Sequence, residues 1–425
     1  MTVLLLFALA LGRAASRFGM PAVVGELLTG VLLGPSVLGW TAPGLSGRLW
    51  PEHGVQPQLM DALSLVGVLL FVGVSGAHLD LRMLRRRPRT VLSVSGCALL
   101  LPLGLGVAAG LMLPAAMMGP HASRPSFALL LGVVMGVSAI PVIAKTLTDL
   151  KMLHRDIGQL TLVAAAGQDV VAWLLLSVVS AMTVSGFAAG DLAESIAHLA
   201  LFLLAAWLLR PVARAGLRRA QRAEGSAPAI GLMVITILGS AAVTQALGLE
   251  AALGAFVAGC LLSSPSPELA ARLAPLRSVT LAVFAPIFLA GAGLHMDLRT
   301  LRDPGTLTAG AIVIVLAISG KFAGAYLGAR LGGLTRAEGL ALGAGLNARG
   351  AVEVVVATVG LRIGVIGEEM YSVVILTAVL TSVMAPPVLR WAMAKVEHRS
   401  EERLREVELS AWSDSPATSR DPAQN

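Results

Sequence analysis

A chain of 425 residues with 56% hydrophobic and 13% charged side chains carries about half the charge of an average soluble domain. The net charge of +7 would suggest nucleic acid in a soluble protein, but the arginines fall between apolar runs, which is the pattern of membrane loops. Cys97 and Cys260 both lie in apolar segments, so neither a disulfide framework nor a thiolate metal site is implied.

About thirteen apolar helices follow one another, most of them long enough to cross a bilayer. They are predicted over 1–17, 20–39, 59–77, 90–113, 126–149, 156–182, 193–214, 228–247, 249–263, 274–294, 306–333, 338–363 and 370–394. The chain is therefore expected to be an all-α polytopic membrane protein. The first span lacks a basic n-region and leads straight into another, so it reads as a short helix and not a cleaved signal; the natural start can lie upstream. The second span, "PAVVGELLTGVLLGPSVLG" (21–39), holds Glu26 at membrane depth, where a structural or interface role is expected.

The fifth span contains "GVSAIPVIAKTL" (136–147), in which Gly136, Ser138 and Pro141 interrupt the helix near its middle. Proline removes a backbone donor and disfavours helix just before it. Either the helix breaks, exposing backbone groups that need a cavity or protein beside them, or it merely kinks. The sixth span carries Gln168 and Asp169 in an otherwise apolar run. Burial favours a protonated carboxylate and a nearby cation the ionised one, so such a group can trade a proton for a metal ion. Lys321 sits in the eleventh span among small residues that permit close packing. It can carry a proton, offset Asp169 when no metal is bound, or form a structural salt bridge. The twelfth span contains "GAGLNARGAVEVVVATVG" (343–360), with Asn347, Arg349, Gly350 and Glu353. Arg349 and Glu353, spaced i,i+4, can neutralise each other or balance half-helix dipoles.

The sequence also repeats itself. "FVGVSGAHLDLRML" (71–84) aligns with "FLAGAGLHMDLRTL" (288–301), and "VGELLTGVLL" (24–33) with "LGAFVAGCLL" (253–262). The copies are seven helices apart, an odd number, so they have opposite topology. This predicts two inverted repeats of six helices, over about 1–183 and 228–395, joined by a linker helix at about 193–214, as in secondary transporters. The fifth and twelfth spans then correspond, and both are interrupted, which marks the expected site. With the N-terminus outside, eighteen loop Lys and Arg residues lie inside and five (Arg48, Arg124, Arg299, Arg302, Arg362) outside, which also puts the C-terminus in the cytoplasm. Residues 396–425 read as a short, disordered polar cytoplasmic tail. No GxGxxG follows a strand pattern there, so no nucleotide-binding regulatory domain is expected. No HExxH or GxSxG string points to an enzyme.

Taken together, "PAVVGELLTGVLLGPSVLG", "LLFVGVSGAHLDL", "GVSAIPVIAKTLTDLKML", "GQDVVAW", "FAPIFLAGAGLHMDL", "GKFAGAYLG" and "NARGAVEVVV" resemble the monovalent cation:proton antiporter-2 family over about residues 1–395. The fifth and sixth spans are most similar to plant cation/H⁺ exchangers, and the Gln-Asp pair to potassium-efflux antiporters. The resemblance implies a core domain of spans four to six and eleven to thirteen, with the broken helices crossing at the site. It implies a homodimer, with spans two, three, nine and ten forming the dimer and gating face. Asp169 matches the family's ion-binding aspartate and Lys321 its core lysine; Ser138, Asn347 and Arg349 fall in the broken-helix motifs. Electrogenic relatives carry two consecutive aspartates, and Gln168 replaces the first, which implies electroneutral exchange. The expected activity is exchange of Na⁺ or K⁺ for H⁺ by alternating access in a bacterial inner membrane, with no cofactor and no nucleic acid. The alternatives are a sodium-coupled symporter of organic anions and a cation channel.

Overall fold

Long apolar stretches broken only by short polar turns leave the backbone one economical way to satisfy its hydrogen bonds in lipid, the helix. The computed structural model describes residues 1–50, 55–77, 88–152, 155–184, 189–222, 225–262 and 267–396, and the described residues are helical almost throughout. The second half of the first repeat motif, Arg82 to Arg87 and the tail from 397 lie outside the described residues.

In chain order the helices are α1 (Thr2–Arg17), α2 (Ala22–Leu33), α3 (Val55–Ala77), α4 (Pro88–Met112), α5 (Arg124–Gly136), α6 (Ile140–Asp149), α7 (Asp156–Val184) and α8 (Ala189–Gln221). They continue with α9 (Ala227–Ala246), α10 (Ala251–Leu262), α11 (Pro267–Val279), α12 (Ala285–Leu294), α13 (Pro304–Leu331), α14 (Arg336–Leu346), α15 (Ala351–Arg362) and α16 (Glu368–Met393). Two short turns, Leu38–Thr41 and Pro43–Leu49, follow α2, and a π-helical stretch over Thr280–Phe284 joins α11 to α12.

Among the described residues, nine helices are long and apolar enough to span a membrane, and the bent pair α14–α15, at 47°, makes a tenth. Three more of the expected thirteen coincide with shorter elements: α1, the α5–α6 pair, and α10 with 12 residues. Apolar length alone therefore accounts for ten spans.

Small residues set the packing. A Cβ on Gly30 would lie 2.0 Å from the Ala290 carbonyl oxygen, and one on Gly259 2.0 Å from that of Gly73. Those glycines let α2 press against α12 and α10 against α3. Elsewhere α4 lies between α5 and α13, and α14 packs on α13 and α16. The largest buried cluster joins α5, α7, α15 and α16 around Phe127, Trp173, Tyr371 and Val355. The half-helices start cleanly, with capping boxes of Ser123 with Ser126 at α5 and Thr335 with Glu338 at α14.

Candidate functional site

α5 ends at Gly136, the chain runs non-helically through Val137, Ser138 and Ala139, and α6 begins at Ile140. This is a break of the helix and not a kink. Pro141 falls in the first turn of α6, where its missing N–H removes no helical bond, so it restarts the helix. The second interruption runs from Asn347 to Gly350, between α14 and α15. Gly350 has φ 149° and ψ −117°, a region closed to side-chain-bearing residues, and a Cβ there would lie 2.8 Å from Val142 Cγ2.

The two breaks lie directly against each other. The Ala139 N–H donates to the Ala348 carbonyl at 3.1 Å. Ser138 Oγ shares its proton between the Leu346 carbonyl, at 2.6 Å, and Gln168 Oε1, at 2.8 Å. Asn347 is fully buried, and neither its amide nitrogen nor its amide oxygen has a partner among the described residues.

The exposed carbonyls at the end of α5 meet two cations. Lys321 on α13 donates to the Gly136 carbonyl, to Gln168 Oε1 at 2.9 Å and to the Ala98 carbonyl at 3.2 Å. Arg349 donates to the carbonyls of Val134 at 2.7 Å, Met135 at 2.6 Å and Ala317 at 3.1 Å. Both side chains are fully buried, at the negative end of a half-helix, where cations are stabilised. Arg349 also pairs with Glu353 at 3.2 Å, so the geometry contains both sequence alternatives at once. Glu353 Oε2 has no partner among the described residues.

Asp169 on α7 is 1% exposed, and its Oδ1 has no hydrogen-bond partner among the described residues. The Lys321 charge acts on this carboxylate, but no salt bridge joins them; the ammonium is held by Gln168 and two carbonyls instead. The structure thus gathers Ser138, Gln168, Lys321, Asn347 and Arg349 around the crossing, with Asp169 next in the chain to Gln168. Glu26 lies apart, on α2 against α1. Sequence reasoning missed Ser382 on α16, whose hydroxyl donates to the Arg349 carbonyl. Its only signal was a Thr-Ser pair, Thr381 and Ser382, inside an apolar span.

A family model described as "Sodium/hydrogen exchanger, transmembrane" matches residues 2–395. The Na(+)/H(+) antiporter NhaS4 of Synechocystis is 30% identical over 384 residues, 89% of this chain and 92% of that one. The Cation/H(+) antiporter 15 of Arabidopsis thaliana is 29% identical over 87% of this chain, which spans 45% of that longer protein. Among solved structures, the sodium proton antiporter MjNhaP1 of Methanocaldococcus jannaschii superposes with a TM-score of 0.68 at 15% identity, covering 93% of this chain and 97% of that one.

Proposed function

The chain belongs to the sodium/hydrogen exchanger family, and we propose that it exchanges a monovalent cation, Na⁺ or K⁺, for protons, with Asp169 as the carrier. The observation that carries this is a buried carboxylate whose Oδ1 has no partner among the described residues, next in the chain to Gln168, which accepts from Ser138 in the first helix break. An ionised carboxylate so enclosed is stable only with a cation, and a neutral one only with a proton. The two ligands therefore exclude each other, and that competition couples their fluxes without covalent chemistry. The family relationship favours exchange over the symporter and channel readings, and its members are transporters rather than enzymes.

Each neighbour has a role in this scheme. Gln168 is neutral, so no second carboxylate stands next to Asp169 in the chain, which supports one-for-one, electroneutral exchange. Lys321 and Arg349 neutralise the end of α5 and hold the break open, leaving Asp169 unpaired. Asn347, whose amide oxygen has no partner among the described residues, is a further oxygen available to a monovalent ion. The core body comprises α4–α7 and α13–α16; α2, α3 and α10–α12 form the body it moves against, and a homodimer holds the latter still. The exchange of partners between repeats, α2 on α12 and α3 on α10, supports the inverted-repeat organisation. The eighteen-to-five arginine and lysine bias supports an outside N-terminus.

The test is dissipation of a pH gradient in vesicles containing the purified chain. Added Na⁺ or K⁺ is expected to release it, with a half-saturating concentration that rises as the pH falls. Asp169→Asn is expected to abolish the response; an unchanged response would refute the assignment.

A further inference from the structure

Charged side chains near the inner end of α1 stand apart from the exchange site and have no role in it. Between α1 and α2 lies a crevice of about 600 Å³ lined by Leu9, Gly12, Arg13, Ser16, Ala22 and Glu26, with Arg17 at its edge. Glu26 is 8% exposed, and Gly12 is so close that a Cβ there would lie 3.5 Å from Glu26 Oε1. Arg13 and Arg17 are both exposed and one helical turn apart. Among the described residues, neither arginine pairs with Glu26, with the other or with anything else, and Glu26 has no hydrogen bond. Two positive groups and one negative group thus line one cavity without satisfying each other.

The N-terminus of α2 opens on the same cavity through Ala22. Its first N–H groups point out of the helix and favour an anion. A simple anion fits badly, because the buried Glu26 carboxylate would repel it. A simple cation fits badly, because of the two arginines. The charges match a zwitterion: a phosphate on Arg13, Arg17 and the start of α2, and a primary ammonium on Glu26.

The surrounding surface says how such a group is presented. Leu6 and Leu9 precede Arg13 and Arg17 on the same face of α1 at helical spacing. Leu6 is 62% exposed. An apolar stripe thus leads along α1 to the cationic pair, and Glu26, opposite Gly12, sits near the level of Arg13, so a lipid headgroup there lies along the crevice with its ammonium folded back to Glu26. We propose that this crevice binds the headgroup of a phosphatidylethanolamine from the inner leaflet. The orientation rests on the proposed topology, but the pairing of groups does not.

The test uses the full chain, purified in detergent, and reads bound lipid by native mass spectrometry with dioleoyl phosphatidylethanolamine, phosphatidylglycerol and phosphatidylcholine. The ethanolamine lipid is expected to bind at least about fivefold more tightly than either of the others, the size of one partly buried ion pair. Phosphatidylglycerol lacks the ammonium, and the methyl groups of phosphatidylcholine block its hydrogen bonds to Glu26. Glu26→Gln is expected to erase that preference, whereas Arg13→Gln with Arg17→Gln should weaken all three lipids. Soluble phosphoethanolamine should compete only weakly, because it lacks the chains. Equal binding of the three lipids to the unaltered chain, a result independent of any variant's folding, overturns the proposal. So does a preference that survives Glu26→Gln in a folded protein. Cation-driven dissipation of a pH gradient in vesicles is a separate readout, so failure of this site leaves the Asp169 assignment standing.

Discussion

Lys321 and Asp169 are both charges inside a span, but they are treated in opposite ways. Lys321 has three donors and three acceptors, Gln168 Oε1 and the carbonyls of Gly136 and Ala98. Lys321→Met keeps the length of the side chain and takes the Lys321 donor from the Gly136 and Ala98 carbonyls, the first at a helix terminus, while Gln168 Oε1 keeps Ser138. The cost is expected to be about 2–4 kcal/mol, seen as a lower unfolding temperature in detergent. Asp169 Oδ1 has no partner to lose, so Asp169→Asn should leave the unfolding temperature unchanged or raise it while abolishing exchange. A stability loss on Asp169→Asn as large as that of Lys321→Met would show that the carboxylate is a structural group. The charged members of this constellation were legible in the sequence because Asp169, Lys321 and Arg349 each interrupt an apolar run. Their partners were not. The acceptors of Lys321 are mostly backbone carbonyls, which any residue type supplies, so the sequence left its role open between proton carrier, counter-charge to Asp169 and salt bridge and did not show the helix end on which it rests.

At the scale of elements, the two interruptions were legible for different reasons. The first was signalled by Gly136, Ser138 and Pro141, and the fold shows why proline is tolerated, since it opens α6. The second had no proline, only the polar run from Asn347 and a glycine. That glycine, Gly350, turns out to be the conformational requirement, with φ 149° and Val142 Cγ2 2.8 Å from the place of a Cβ. Gly350→Ala is therefore expected to cost about 1–3 kcal/mol of stability and to displace Arg349 from the carbonyls of Val134 and Met135. Thermal unfolding and the exchange rate per folded molecule should both fall. Unaltered values for both would mean that the break relaxes without using this backbone geometry. What apolarity does not report is close approach: α10, apolar throughout, packs against α3 through Gly259, where a Cβ would lie 2.0 Å from the Gly73 carbonyl oxygen.

At the scale of the whole molecule, alternating access requires contacts that hold one face shut and can be released. Among the described residues, three polar contacts join the two proposed bodies at the ends that the proposed topology puts outside. Arg362 at the end of α15 pairs with Glu250 at the start of α10 at 3.0 Å. Tyr371 on α16 donates to the Ala292 carbonyl of α12 at 2.8 Å, and Ser372 Oγ accepts from the Asp297 N–H at 3.1 Å. On the proposed topology and division into bodies, all three would part as the outer side opens, which makes this the outward-closed state in that scheme. Of the three, the ion pair is the one a single substitution can bias without disturbing the buried core, because Arg362 is half exposed while Glu250 is 7% exposed. Arg362→Gln strands the Glu250 carboxylate in the closed state only, since opening returns it to water. A bias of about 1 kcal/mol changes the ratio of the two states about fivefold. If the outward state is the minor one, the half-saturating concentration of cation applied from outside should fall by up to that factor, as the competent fraction rises. Cation applied from inside should bind no more tightly. Adding Glu250→Gln to Arg362→Gln should restore most of the original ratio, because the stranded charge is then gone. An external affinity that does not move in Arg362→Gln, or that moves equally on both faces, would mean that this pair fastens the bodies in every state and does not gate one of them.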